Sequence, residues 1–261
     1  MPLITTDLIL WIERHFAEGF LLSADDSPVK EFGETVAVKS LDGRPRNKVL
    51  CFSEADLNRL DDILAFFSSD GLAPHFYMSP ARFSEKVGQA LANRGFYCNS
   101  YTQAILVGEP IDTRPQLPDY LTIELVKPDS YEIFARTVAE GFEWNPAWRE
   151  AAIQQHLKRM QQPNQSEDDL RFLARVNGTP VGTASMSFRD GVASLSAGAV
   201  LPAYRNRGIH QALIHTRLFA AHELSAELVL SGADFGSASF RNQQRFGLQL
   251  AFIESGWSRL K

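Results

Sequence analysis

Residues Val200–Leu213 read VLPAYRNRGIHQAL. A β-rich run, VASLSAGAVL, closes at Leu201. A short basic turn, Arg205-Asn206-Arg207-Gly208, follows, and a helical pattern opens directly after it. The first N–H groups of a helix lack intrahelical partners, and that end carries roughly half a positive charge. A tight turn before the helix can add further N–H groups facing the same way, making a nest for an anion. Gly208 lets the backbone approach a ligand closely. Arg205 and Arg207 contribute charge that persists at any physiological pH. A hydrogen bond to a charged group contributes about 1.5–3 kcal/mol, so a handful of them would anchor a diphosphate. The Gly-x-Gly-x-x-Gly and Gly-x-x-x-x-Gly-Lys-[Ser/Thr] fingerprints are both absent. The strands before the loop read as a meander, whereas the dinucleotide fingerprint needs a parallel βαβ unit.

Working outward, residues 120–126 alternate as a strand, and residues 130–140 are helical. Asn145-Pro146 is an N-cap with proline at N1, opening a helix to about Gln161. RFLARV, Asn177-Gly178 and TPVGTASMSF form a hairpin, and Arg189-Asp190-Gly191 turns the chain again into VASLSAGAVL. After the loop come a helix (208–223), a strand (227–231), a helix (237–246) and a last strand (248–255).

The N-terminal part looks like a worn copy of the same order. HFAEGF (15–20) and TVAEGF (137–142) each close a helical pattern at a glycine where a C-cap would sit. SEKVGQALANRGFYCNSYTQAILVG and SASFRNQQRFGLQLAFIESGWSRL both read helix, glycine, strand. The Pro-rich segment 108–119 is the natural linker, which sets domains of 1–110 and 119–261. The first of these carries a hairpin turning at Asp42-Gly43. Its next helix opens at Ser53 with carboxylates in the first turn, where an anion would otherwise bind.

Bulk properties narrow the function. The 261 residues are 44% hydrophobic, enough for a sizeable core. A net charge of −5 disfavours a broad nucleic-acid surface. Two separated cysteines, Cys51 and Cys98, point to a reduced, cytoplasmic protein. Glu13 and Arg14 interrupt the apolar N-terminus, which reads as an amphipathic helix and not a leader. No apolar run reaches the roughly 18 residues needed to span a membrane. No His, Cys or Asp cluster has metal-ligand spacing, so no metal is expected.

Arg205-Asn206-Arg207-Gly208-Ile209-His210 resembles the [QR]-x-x-G-x-[GA] loop of the GNAT superfamily of N-acetyltransferases, and the order of elements around it matches that fold. The resemblance covers residues 120–257 and extends to the first half only as a degenerate copy without the loop. It implies an α/β (α+β) tandem fold, with a mixed central sheet built on an antiparallel meander and flanked by helices. It implies acetyl-CoA as co-substrate, its pyrophosphate held by Arg205, Asn206, Arg207, Gly208, Ile209, His210 and Gln211. Ala199, Val200 and Leu201 would lie beside the pantetheine arm and thioester, with Gly198 marking a bulge that opens the sheet. Asn242 and Ser239 would face the same arm. The bland alternatives are a helix cap and a solvated helix residue. Glu143 is the candidate base, against the alternative of a solvated glutamate between helices. Trp144 and Trp148 would wall an acceptor pocket or simply pack.

There are two departures from the pattern. His210 stands where the family has glycine or alanine. Gln243 stands where family enzymes often have a tyrosine that protonates the leaving thiolate. The resemblance implies an acetyl-CoA-dependent N-acetyltransferase acting on a primary amine of a small molecule or peptide. The rival is a non-catalytic acyl-CoA-binding or regulatory protein. No nucleic-acid or membrane partner is expected, and a homodimer stays open.

Overall fold

A computed structural model describes residues 2–22, 28–40, 47–161 and 169–259. The chain divides into two compact units: residues 105–250, and residues 2–104 together with 251–261.

In the unit of residues 2–104 the elements are α1 (Thr6–Leu22), β1 (Val29–Phe32), β2 (Thr35–Val38), β3 (Lys48–Leu50), α2 (Leu60–Ser68), β4 (His75–Met78), α3 (Glu85–Ala92) and β5 (Phe96–Gly108), the last belonging from Ile105 onward to the other unit. β1, β2 and β3 form an antiparallel meander, and β3 then pairs in parallel with β4 through Lys48↔His75 and Val49↔Phe76. β2 and β3 are the expected hairpin strands; the turn at Asp42-Gly43 lies outside the described residues. Phe52, Leu60, Ile63, Phe67 and Phe76 are fully buried and form this unit's core with Val87, Leu91 and Phe96. Ser53 precedes a 3-10 turn and makes no side-chain cap. The carboxylate expected to fill an anion's place is used elsewhere. Asp56 is buried and accepts from the N–H groups of Glu34 and Thr35 and the Thr35 hydroxyl, which closes the β1–β2 turn.

In the unit of residues 105–250, β6 (Leu121–Leu125), α4 (Tyr131–Gly141), α5 (Pro146–Met160), β7 (Leu170–Val176), β8 (Thr179–Arg189) and β9 (Val192–Val200) are followed by α6 (Ile209–Glu223), β10 (Leu228–Asp234), α7 (Ala238–Arg245) and the first two residues of β11 (Gln249–Arg259). The strand order is β10-β9-β8-β7-β6, antiparallel except where β9 meets β10 in parallel. Both hairpin turns are formed by consecutive positive-φ residues, Asn177-Gly178 and Asp190-Gly191, as their sequences dictate. The Asn145 side chain accepts from Ala147 N at 2.9 Å, with Pro146 at the first helical position of α5. Phe172, Val181, Val200, Ile209 and Leu213 pack α6 onto the sheet.

Two expectations are corrected. Neither glycine of the AEGF repeat caps a helix: α1 runs through Gly19 to Leu22, α4 includes Gly141, and neither glycine has positive φ. Gly141 serves close packing instead, since a Cβ there would stand 2.9 Å from Ala199 Cβ on β9. The expected boundary of 119–261 also differs from the observed division in its last strand. β11 from Ala251 belongs with residues 2–104, because Ser255, Gly256 and Trp257 pair with Met78, Tyr77 and Phe76 of β4.

Candidate active site

The site lies in the unit of residues 105–250, where the sheet opens. β9 and β10 run in parallel register as far as Leu195↔Ser231 and no further. Just beyond, β9 bulges. Thr183 pairs with Ala199 and Ser185 with Ser196, which leaves Ala197 and Gly198 facing Ala184 alone. Ala197 sits at φ 47, a conformation that costs a non-glycine residue about 1–2 kcal/mol. The buried Thr183 hydroxyl donates to Ala197 O at 3.2 Å and holds the bulge in place. The bulge expected at Gly198 is therefore present.

The Arg205–Gly208 turn follows. Asn206 and Gly208 both have positive φ, 63 and 78, and a Cβ on Gly208 would meet nothing within 4 Å. The backbone thus turns twice toward open space before α6 begins. Among the described residues, no backbone carbonyl or side chain accepts from the N–H groups of Asn206, Arg207, Gly208, Ile209, His210 or Gln211. No acidic residue occupies the first turn of α6. A row of free donors at the positive end of a fifteen-residue helix, with a glycine opening the approach, fits a diphosphate.

The side chains of the turn take different roles. Arg205, although exposed, reaches back to the strand end: Nε donates to Val200 O at 3.2 Å, and Nη2 donates to Gly141 O at 2.9 Å and to Glu143 Oε2 at 2.8 Å. Glu143, at φ 50 in the α4–α5 turn, is thereby paired with Arg205. Arg207 stacks over the Tyr204 ring, 5.1 Å from its centroid. On β9, Ala199 packs against Gly141, while Leu201 gives its N–H to Val181 O at 2.8 Å and so has no donor left for a ligand. Arg207, Gly208, Gln211 and His215 line one side of a groove of about 230 Å³, with Pro115 and Leu117 of the linker on the other. His215 Nε2 lies 2.8 Å from Thr113 O.

His210, the first departure from the loop pattern, turns its ring nitrogens to Gly198 and Asn242. Its ring is half-buried and turned toward β9, with Nδ1 3.2 Å from Asn242 Nδ2. Asn242 Oδ1 accepts from Arg245 Nη1 at 2.9 Å and from Gln211 Nε2 at 3.2 Å. Asn242 is therefore the centre of a network joining α6 to α7, not a solvated residue. Burial, aided by the charge of nearby Arg217, pushes the His210 imidazole down to about 4, so the ring is neutral near pH 7.

Ser239 accepts from Gln243 Nε2 at 3.1 Å, so the two residues expected near the cofactor arm and at the acid position engage each other. Gln243 is 4% exposed and has no ionisable proton to give, and its Oε1 has no partner among the described residues. Trp144 and Trp148, offered as pocket walls, pack instead in the core between α4 and α5 with Phe134 and Ile153, their rings 5.6 Å apart. His156 stacks on Phe134, consistent with a packing role. Among the described residues, no group of three His, Cys, Asp or Glu side chains is placed to hold a metal ion.

Sequence reasoning did not single out Arg217. It is 4% exposed and donates to Leu213 O, Ser185 O and Ser196 O, and among the described residues no carboxylate pairs with it. Its only signal in the sequence was a charge on the buried face of α6, in register with Leu213 and Ile214.

Residues 132–239 match the family model described as the acetyltransferase (GNAT) family. A GCN5-related N-acetyltransferase from Kribbella flavida shares the fold with a TM-score of 0.71 at 18% identity, covering 96% of each chain. A tandem GNAT protein from the clavulanic acid biosynthesis pathway superposes with a TM-score of 0.66 at 13% identity, covering 97% of this chain and 94% of that one. A GCN5-related N-acetyltransferase from Sphaerobacter thermophilus gives 0.61 at 16% identity, over 86% of this chain and 80% of that one. No protein of curated function matches the chain in sequence. The chain carries the GNAT fold, and the match to the acetyltransferase (GNAT) family model, residues 132–239, falls within its unit of residues 105–250.

Proposed function

We propose that this protein is an acetyl-CoA-dependent N-acetyltransferase that modifies a primary amine of a small molecule or peptide. The observation that carries the reading is the run of unpartnered N–H groups from Asn206 to Gln211, opened by Gly208 at φ 78. When bound, acetyl-CoA supplies an acetyl group activated as a thioester. The N–H groups of residues 206–211 hold the pyrophosphate, and Arg207, at the edge of the groove, adds a permanent charge. The opened edge of β9 at Gly198–Val200 receives the pantetheine arm, beside the bulge fixed by Thr183. Arg205 fastens that strand end to the α4–α5 turn and keeps the edge rigid. Glu143 takes up the amine proton by way of water through Oε1, the oxygen that Arg205 does not hold.

The first half is read as a degenerate copy without a cofactor loop, since Asp56 is committed to its own β1–β2 turn. A cytoplasmic setting suits Cys51, which is buried with its thiol pushed up to about 12, and the exposed free Cys98. Among the described residues, no helix is long and apolar enough to cross a membrane.

The test is release of free thiol from acetyl-CoA against a panel of primary amines. Acetylation of any amine at a rate that saturates with acetyl-CoA supports the reading. Tight binding of acetyl-CoA with no transfer to any class of amine would favour the acyl-CoA-binding alternative, which the missing tyrosine at Gln243 motivates.

A further inference from the structure

The acid position is occupied by a buried glutamine, yet the leaving sulfur still carries negative charge when the acyl bond breaks. Two side-chain nitrogens lie against the β9 bulge. A Cβ on Gly198 would stand 3.2 Å from Arg217 Nη2 and 3.5 Å from His210 Nε2. Gly198 directly precedes Ala199, where the strand edge opens.

The proton on His210 can be placed by elimination. Arg245 can only donate, so the Asn242 atom facing it is the oxygen. The other end of that amide is then Nδ2, which can only donate, so His210 Nδ1 accepts. The proton of the neutral ring is therefore on Nε2, the nitrogen directed at Gly198.

Arg217 is unusual in a second way. Its guanidinium is buried against the carbonyls of Ser185 and Ser196 without a carboxylate. Burying an uncompensated cation is costly, and the charge lies within one side chain of the opened strand. The charged groups facing His210 are Arg217 on α6 and, through Asn242, Arg245 on α7. Both are cations, so the local field favours an anion.

We propose that His210 Nε2–H and the Arg217 guanidinium together form a thiolate-stabilising site for the sulfur of coenzyme A, in place of the absent tyrosine. This rests on the acetyltransferase reading above. During transfer the acyl carbon–sulfur bond breaks and its electron pair passes to sulfur. The acyl carbon–nitrogen bond forms, and the amine proton passes by way of water to Glu143. His210 acts as a hydrogen-bond donor and gives up no proton. Deprotonating a neutral imidazole to protonate a thiolate would run uphill, whereas donating to it does not.

The test uses the full chain and coenzyme A with its free thiol. Calorimetry first measures binding. The far-ultraviolet absorbance of the thiolate is then followed against pH in the bound complex. Wild type is expected to ionise the bound thiol at least about tenfold more readily than in free coenzyme A, a shift of about one pH unit. His210→Phe and Arg217→Met should bring the titration back toward the free value, while His210→Gln, which keeps an N–H, retains part of the shift. Circular dichroism identifies any variant that fails to fold; His210→Gln against His210→Phe remains decisive if Arg217→Met does fail. Coenzyme A that binds wild type with the thiol titrating as in free solution would overturn the proposal alone. No binding to wild type would overturn the acetyltransferase reading and this proposal together.

Discussion

Arg205 Nη2 and Glu143 Oε2 stand 2.8 Å apart, and the same guanidinium reaches Val200 O and Gly141 O. One side chain thus links the end of β9, the end of α4 and the turn that carries the candidate base. Both members of the ion pair are largely exposed, so the pair itself contributes at most about 1 kcal/mol. Glu143→Gln should therefore leave urea unfolding within about 1 kcal/mol of wild type. As a base, its removal should lower kcat about tenfold or more near pH 7 with acetyl-CoA affinity unchanged. Unchanged kcat in a folded Glu143→Gln protein would remove Glu143 from the chemistry and leave it a fastening residue.

Gly141 lets α4 lie directly on the strand edge beside the site. Its hypothetical Cβ, 2.9 Å from Ala199 Cβ, has no room without movement of helix or strand. Gly141→Ala should destabilise by about 1–3 kcal/mol through overpacking, despite alanine's better helix propensity. Denaturant unfolding reads this directly. A Gly141→Ala protein as stable as wild type or more so would show that α4 and β9 do not approach this closely.

His210 gives the protein a pH signature. Its folded value of about 4 lies below the ordinary imidazole value near 6.5, so between these limits the unfolded chain binds more protons. Its contribution is fully present above about pH 6.5 and is lost as pH falls through about 4. Wild type should lose on the order of 2 kcal/mol more stability than His210→Gln over that interval, below the full linkage value because the ring is only half-buried. Parallel stability–pH curves for the two proteins would contradict a buried neutral ring at this position.

Local signals carried most of the second unit. Asn145-Pro146, Asn177-Gly178 and Asp190-Gly191 set their caps and turns through their own backbone preferences, and the structure has them where the residues point. The strand–turn–helix reading of Val200–Leu213 rests on the same kind of local chemistry and stands. What the sequence did not show depends on distant partners. Gly141 reads as a helix cap until Ala199 is brought against it. His210 reads only as a departure from the loop pattern until Asn242, 32 residues on, accounts for its ring. Arg217 looks like an ordinary helix cation, because only the folded sheet brings the carbonyls of Ser185 and Ser196 to it. The last strand was placed with the second half by chain order, whereas its pairing with β4 is a long-range choice that no local pattern encodes.

Calorimetric titration of acetyl-CoA into wild type and Gly208→Trp decides whether the turn before α6 cradles a pyrophosphate. A bulky side chain at φ 78 would project into the open space over the unpartnered N–H groups. Micromolar binding by wild type, weakened about a hundredfold or more in a folded Gly208→Trp protein, is the predicted result; it corresponds to losing one or two charge-assisted hydrogen bonds, about 3 kcal/mol. Absence of binding to wild type, or equal binding by the two proteins, would contradict the cradle and with it the acetyltransferase reading.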